Sequence, residues 1–185
     1  THAGLLFYGG HFSANHLLAI DQVASDAKVL KGHRIDKVEF LSANYHFPRF
    51  VGRNSQLKPN GQYKKDQCVR LYTDQGAVGW GRGSAGSDRK KLIKSLIGKT
   101  IDQLLVPSVG TRNGVHPAFD LALHDLAGVI LKKPVFQMLG AKGSKATDIY
   151  SGMIYFDELD KEGEYIGIDN IIQNCQWDYD YGYRK

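Results

Sequence analysis

Cysteine, proline and methionine are scarce in this chain of 185 residues, at two, five and two. Two cysteines cannot form the multi-bridge framework that small secreted domains use in place of a large core. Cys68 and Cys175 lie in different segments and match no zinc spacing. They read as two buried free thiols, and nothing in the sequence supports a disulfide between them. No apolar run approaches the roughly 20 residues of a membrane span, so no membrane partner is expected. The start lacks an intact signal peptide, because Gly4-Leu5-Leu6-Phe7-Tyr8 is short and has no basic flank. The first residue is Thr1 rather than Met, so export stays open while the cytoplasm is the favoured compartment.

Blocks of one charge sign are also missing. The formal charge of +5 is scattered, apart from Arg89-Lys90-Lys91. Three cations on a short helix, with no aromatic residues between them, make a solvated face, and no nucleic-acid partner is expected. There is no Gly-x-Ser-x-Gly, phosphate loop or dinucleotide fingerprint. His11 and His16 match no metal spacing. His116, Asp120, His124 and Asp125 cluster in one helix, but Asp120 and His124, at i and i+4, read as a surface pair on its polar side.

What is present is a globular pattern. At 42% hydrophobic residues the chain can bury an ordinary core. Ser13 to Leu30 has helical spacing, with Leu17, Ile20, Val23 and Ala24 on one face, and Lys31-Gly32 stops it. Ile35 to Phe47 reads as a strand, Val38 and Phe40 alternating with Lys37 and Glu39. Pro48 to Lys65 is polar and rich in turn residues, so a long loop is expected there. Gln67 to Thr73 and Ala77 to Gly81 are strands joined by the turn Asp74-Gln75-Gly76. Asp88 is placed to cap a short helix running to Ile97 and stopped by Gly98. Ile101 to Leu105 allows one more helical turn.

The clearest helix starts at Pro117. Phe119, Ala122, Leu123, Leu126, Ala127 and Ile130 form one apolar stripe, and Lys132 and Lys133 suit its C-terminal end. Pro134 opens a short helix ending at Gly140. Thr147 to Ile154 is strand-like, an acidic, glycine-containing loop follows, and Ile168, Ile171, Ile172, Cys175 and Tyr179 again have helical spacing. A strand followed by a crossover helix normally leads to a parallel neighbour strand.

Three stretches together resemble the mandelate racemase/muconate lactonizing enzyme family of the enolase superfamily. Val69 to Gly81 (VRLYTDQGAVGWG) is similar to the hairpin of that family's capping domain, with its Thr-Asp-x-Gly turn and Gly-x-Gly return. Ala122-Leu123-His124-Asp125-Leu126-Ala127-Gly128, with Lys132-Lys133-Pro134-Val135 and Leu139-Gly140, resembles its Ala-Leu-Trp-Asp-Leu helix and Pro-x-x-x-Leu-Leu-Gly sequel. Ile149-Tyr150-Ser151 is similar to its first barrel strand. The resemblance covers residues 34 to 185. Arg82 stands where the family usually has Glu, and His124 where it has Trp.

The resemblance implies an α+β fold: an enolase-type N-terminal capping domain, made of a three-stranded antiparallel meander plus helices, over 34–145. The first βα unit of a TIM-like barrel follows over 146–185, and residues 1–33 form an N-terminal extension. It implies an enzyme, a lyase or isomerase, that removes the proton next to a carboxylate: a racemase, cycloisomerase or acid-sugar dehydratase. Its substrate would be a small carboxylate or acid sugar, and a homo-oligomer is expected. Mg2+ held by carboxylates would stabilise the enediolate, and a Lys or His would take the proton. In the family these groups sit at the C-terminal ends of barrel strands, the first being a Lys-x-Lys on the second strand.

Gly182-Tyr183-Arg184-Lys185 resembles the lead-in to that Lys-x-Lys, so Lys185 would stand just before it or, in a shorter register, be its first lysine. No catalytic residue and no metal ligand is then expected among these 185 residues, and the magnesium ligands are expected beyond Lys185. What the resemblance does place here is the substrate-covering lid, in the loop from Phe47 onward. Phe47, Arg49, Phe50 and Arg53 are its candidate substrate contacts: the arginines for an anionic substrate, Phe50 for excluding water. Tyr150 either faces the pocket or packs in the core. The rival expectation is a stand-alone binding domain derived from the capping fold, without activity. Against it, a single open βα unit would leave a strand edge exposed.

Overall fold

A computed structural model describes residues 14–51, 61–141, 143, 146–152, 154–160 and 162–184, without the side chains of 14–20, 48, 49 and 51. The chain divides into two compact units, one drawing on Thr1–Leu41 and Cys68–Ala141, the other on Ser42–Gln67 and Lys142–Lys185.

The first unit opens with helix α1 (Ala14–Lys31), whose last turn carries Lys28 and Lys31 against the negative helix end. Of the expected inward face, the side chains of Leu17 and Ile20 lie outside the described residues, and the remainder differs in part. Ala24 is exposed, whereas Asp26 and Leu30 are buried and Val23 and Ala27 half-buried. The stripe runs through an acidic residue because Asp26 has a partner, the ammonium group of Lys133, 2.7 Å from both of its carboxylate oxygens.

Three strands follow, β1 (Ile35–Val51), β2 (Gly61–Thr73) and β3 (Val78–Arg82), in the order β1-β2-β3. β2 and β3 are antiparallel, with Arg70 opposite Trp80 and Tyr72 opposite Val78. Contacts between β1 and β2 join Glu39 to Tyr72, Tyr45 to Asp66 and His46 to Tyr63. One partner advances as the other recedes, so this pair is antiparallel too, and the meander is as expected. The expected long loop differs at both ends, since β1 continues to Val51 and β2 begins at Gly61, while 52–60 lie outside the described residues. Cross-strand pairing carries these polar residues into the sheet, and Pro48 is tolerated because β1 is an edge strand. Thr73 closes the β2–β3 turn by accepting Ala77 N–H on its hydroxyl, 3.1 Å, while Gly76 takes φ +80°.

Helix α2 (Arg89–Leu96) is stopped by Gly98 at φ +82°. Asp88 sits at its start, but its side chain makes no capping bond. A 3-10 turn, Ile101–Gln103, carries a reciprocal cap between Thr100 and Gln103. The small antiparallel pair β4 (Leu105–Val106) and β5 (Gly110–Thr111) was not anticipated. A 3-10 turn, Pro117–Phe119, leads into helix α3 (Asp120–Leu131), which ends at Lys132 in the left-handed region, and α4 (Val135–Met138) follows. The expected stripe on this helix is the core: Phe119, Ala122, Leu123, Leu126 and Ala127 are fully buried beside Leu30, Ile35, Val69 and Leu71, and Ile130 packs at the edge.

In the second unit the expected crossover helix is α5 (Gly167–Tyr181), ended by Gly182 at φ +115°. Thr147 to Ile154, read as a strand, forms no ladder among the described residues, and Ile149 and Tyr150 are 62% and 75% exposed. A strand needs a hydrogen-bonded neighbour, and none is described here. Cys68 is buried and Cys175 exposed, so only one of the two thiols is buried as expected; both are free. Among the described residues no helix is long and apolar enough to cross a membrane.

Candidate functional site

The sequence motif in the first unit makes a frame rather than a reaction centre. Gly79, Gly81 and Gly83 recur at every second position of β3 and its continuation, so all three face the same way. A Cβ on Gly79 would lie 2.4 Å from Leu126 Cα, one on Gly81 2.6 Å from Leu121 Cβ, and one on Gly83 1.9 Å from the Ala118 carbonyl oxygen. The strand therefore lies backbone to backbone on α3. Asp125 locks the contact, its Oδ2 accepting the Trp80 backbone N–H at 2.8 Å.

The neighbouring polar residues have structural tasks as well. His116 Nδ1 accepts Ala118 N–H and caps the 3-10 turn. Thr111 donates to the Asp120 carboxylate at 2.7 Å. His124 Nδ1 lies 2.9 Å from the Asp120 carbonyl oxygen and 3.5 Å from its carboxylate, with its side chain only 14% exposed. The expected surface pair is therefore largely covered on its histidine side. Among the described residues no three His, Cys, Asp or Glu are placed to hold a metal ion.

A cleft of about 340 Å³ lies within the second unit, where Phe50 of β1 faces the segment ahead of α5 and the first turns of that helix. The segment is a tight hairpin. Leu159 bridges to Tyr165, Asp160 N–H donates to the Glu164 carbonyl at 2.8 Å, and Ile166 N–H to the Glu158 carbonyl at 3.1 Å. Asp160 ties its tip, accepting N–H donors from Gly163 at 2.8 Å and Glu164 at 2.9 Å. The Glu164 donor above all holds the Asp160 carboxyl below its ordinary range, against a smaller opposing effect of burial.

Ile166, Asn170 and Asn174 stand at intervals of four and line the cleft from one face of α5. Leu159 and Ile166 give the cleft apolar wall, Glu158, Asp160 and Glu162 carboxylates, and the two asparagines amides. This donor set accepts hydrogen bonds from hydroxyl groups and repels an anion. At the far end of the unit Ser151 donates to the buried Asp178.

Of the candidate contacts named from the sequence, Phe50 is half-buried and lines the cleft. Phe47 is half-buried and meets the Tyr45 ring edge-on at 5.8 Å. The Arg49 side chain and Arg53 lie outside the described residues. Tyr150 is exposed and is not part of the cleft. Sequence reasoning missed Asp160, Asn170 and Asn174. The visible signals were an acidic, glycine-containing loop and two asparagines one helical turn apart.

No family model matches the chain. D-xylonate dehydratase of Haloferax volcanii is 30% identical over 111 residues, covering 51% of this chain and 27% of that protein. Among solved structures, galacturonate dehydratase from Geobacillus sp., complexed with D-galacturonate, superposes with a TM-score of 0.64 at 18% identity, covering 80% of this chain and 38% of that one. A mandelate racemase/muconate lactonizing protein from Geobacillus sp. Y412MC10, complexed with magnesium and tartrate, gives 0.62 at 19%, covering 82% and 39%. An enolase from Thermobispora bispora, complexed with magnesium and formate, gives 0.58 at 17%, covering 82% and 44%. The chain shares its fold with these solved structures. The chain spans less than half the length of each of these relatives.

Proposed function

We propose that this chain is the cap-bearing front part of a magnesium-dependent enolase-superfamily enzyme that abstracts the α-proton of a carboxylate substrate. Acid-sugar dehydration is the favoured reaction. The observation that carries this reading is the β3–α3 frame, with Gly79 and Gly81 of β3 laid on α3 and Asp125 of α3 holding the Trp80 N–H, in a chain 30% identical over 111 residues to a sugar-acid dehydratase. In this reading the cap covers 34–145, with α1 packed on it, and 146–185 opens the barrel.

The described residues offer no seat for the magnesium, since no acidic or histidine cluster is placed to hold a cation. In this reading the metal ligands and the proton-abstracting group stand on barrel strands of the whole enzyme, and the part given to these residues is recognition. Phe47, Arg49, Phe50 and Arg53 cover the substrate, with the arginines meeting its carboxylate. The acceptor-rich cleft beside Phe50 suits the hydroxylated end of a sugar acid and disfavours its anionic end.

The test is magnesium-dependent exchange of substrate α-protons with deuterated solvent, by the product of the whole reading frame, on D-xylonate and D-galacturonate. Exchange on a sugar acid, lost on adding a chelator, is expected. A frame that stops at Lys185, with no exchange on any acid, would replace this reading with the stand-alone binding domain.

A further inference from the structure

The lining of the cleft beside Phe50 bears on which acids it takes. Its volume of about 340 Å³ is that of a small-molecule site, and Phe50 and Ile166 give it apolar wall. The polar lining consists of Glu158, Asp160 and Glu162 with the amides of Asn170 and Asn174, and among the described lining residues there is no Lys, Arg or His.

The balance of donors and acceptors decides what fits. An ionised carboxylate only accepts hydrogen bonds, whereas an amide both accepts and donates. The lining therefore holds more acceptors than donors. Part of the donor capacity is already spent, because Asn170 Nδ2 donates to the Ile166 carbonyl four residues back, which fixes that amide on α5. Asp160 is kept in its acceptor form by the N–H groups of Gly163 and Glu164. A hydroxyl group brings the donor that such a lining lacks. A carboxylate brings two further acceptor oxygens and a negative charge, and it meets no cation among the described lining residues. A charge taken from water without a counter-charge costs far more than one missing hydrogen bond.

We infer that this cleft selects sugar monoacids over sugar diacids, Asn170 and Asn174 binding the hydroxyl at the end distal to the reacting carboxylate. The selection works by rejection as much as by attraction, since the second carboxylate of a diacid would have to enter the acceptor-rich end. The inference rests on the proposed enzymatic reading.

The test is magnesium-dependent exchange of substrate α-protons by the product of the whole reading frame, compared as kcat/KM on two pairs of acids, D-xylonate with xylarate and D-galacturonate with galactarate. The members of each pair differ in whether the distal end carries a second carboxylate. The monoacid of each pair is expected to be used at least about tenfold better. Removing the distal hydroxyl, in 5-deoxy-D-xylonate, is expected to cost the parent about tenfold, and Asn174→Leu is expected to abolish that difference. Glu162 is exposed, so Glu162→Arg is expected to fold. It gives the cleft a cation and is expected to narrow the monoacid preference at least about tenfold. Equal use of both acids of a pair by the parent, or preference for the diacid, overturns the inference and leaves the enzymatic reading standing. So does a folded Glu162→Arg variant that keeps the parent's preference, or an Asn174→Leu variant that still discriminates the distal hydroxyl as the parent does. Exchange on none of the four acids overturns the enzymatic reading, and the inference with it.

Discussion

Asp125 on α3 accepts the backbone N–H of Trp80 on β3 at 2.8 Å, and this bond holds the hairpin to the helix. The Trp80 N–H is spent on Asp125, on an edge strand of the sheet. Asp125→Ala is expected to destabilise the protein by about 1–3 kcal/mol, and Asp125→Asn, which keeps an acceptor, by less. Urea unfolding read by far-UV circular dichroism measures both.

The same change at two glycines should have opposite outcomes. Gly79→Ala forces a Cβ to within 2.4 Å of Leu126 Cα, and the helix backbone must move. A loss of about 1–3 kcal/mol or more is expected in thermal unfolding. Gly152→Ala meets nothing nearer than the Tyr150 ring at 3.7 Å, and a change within about ±0.5 kcal/mol is expected.

Lys133 ties α1 to the rest of the first unit through Asp26. Lys133→Met leaves a largely buried carboxylate without its cation. Because the Lys133 side chain is 29% exposed, solvent offsets part of the loss, and about 1–3 kcal/mol is expected. Hydrogen exchange should show where: amides near Asp26 and Leu30 lose protection, whereas Val69 and Leu71 keep theirs.

The hairpin of the second unit should respond to acid in a defined direction. The Asp160 carboxyl is held below its unfolded value of 3.8 by backbone N–H donors. Its contribution is therefore fully present above that value and is lost as pH falls through the lower, folded one. Protection of the Gly163 and Glu164 amides should stay level from neutral pH to about 5 and fall only below 3.8. In Asp160→Asn that acid step should vanish.

The elements that could be read in advance are those whose signals are local. The alternation of Gly79 and Gly81, the Thr73–Gly76 turn and the stripe from Phe119 to Ala127 each state a geometry within a few residues, and the structure follows them. The misses needed information from afar. Polar residues around Gly61 to Asp66 become strand only because β1 pairs with them. The inner face of α1 is offset because Lys133, 107 residues away, accommodates a buried Asp26. Thr147 to Ile154 has the composition of a strand but no described neighbour to pair with. The cleft was hidden for the same reason: Phe50, Asp160 and Asn170 converge only once the chain has folded.

The division of labour between recognition and turnover is tested most directly by proton NMR of a sugar acid in deuterated solvent with magnesium and the purified 185-residue chain. The substrate's α-proton signal should persist undiminished for days. Its disappearance at a rate proportional to protein concentration, abolished by chelator, would show that these residues do the chemistry themselves and would contradict the account.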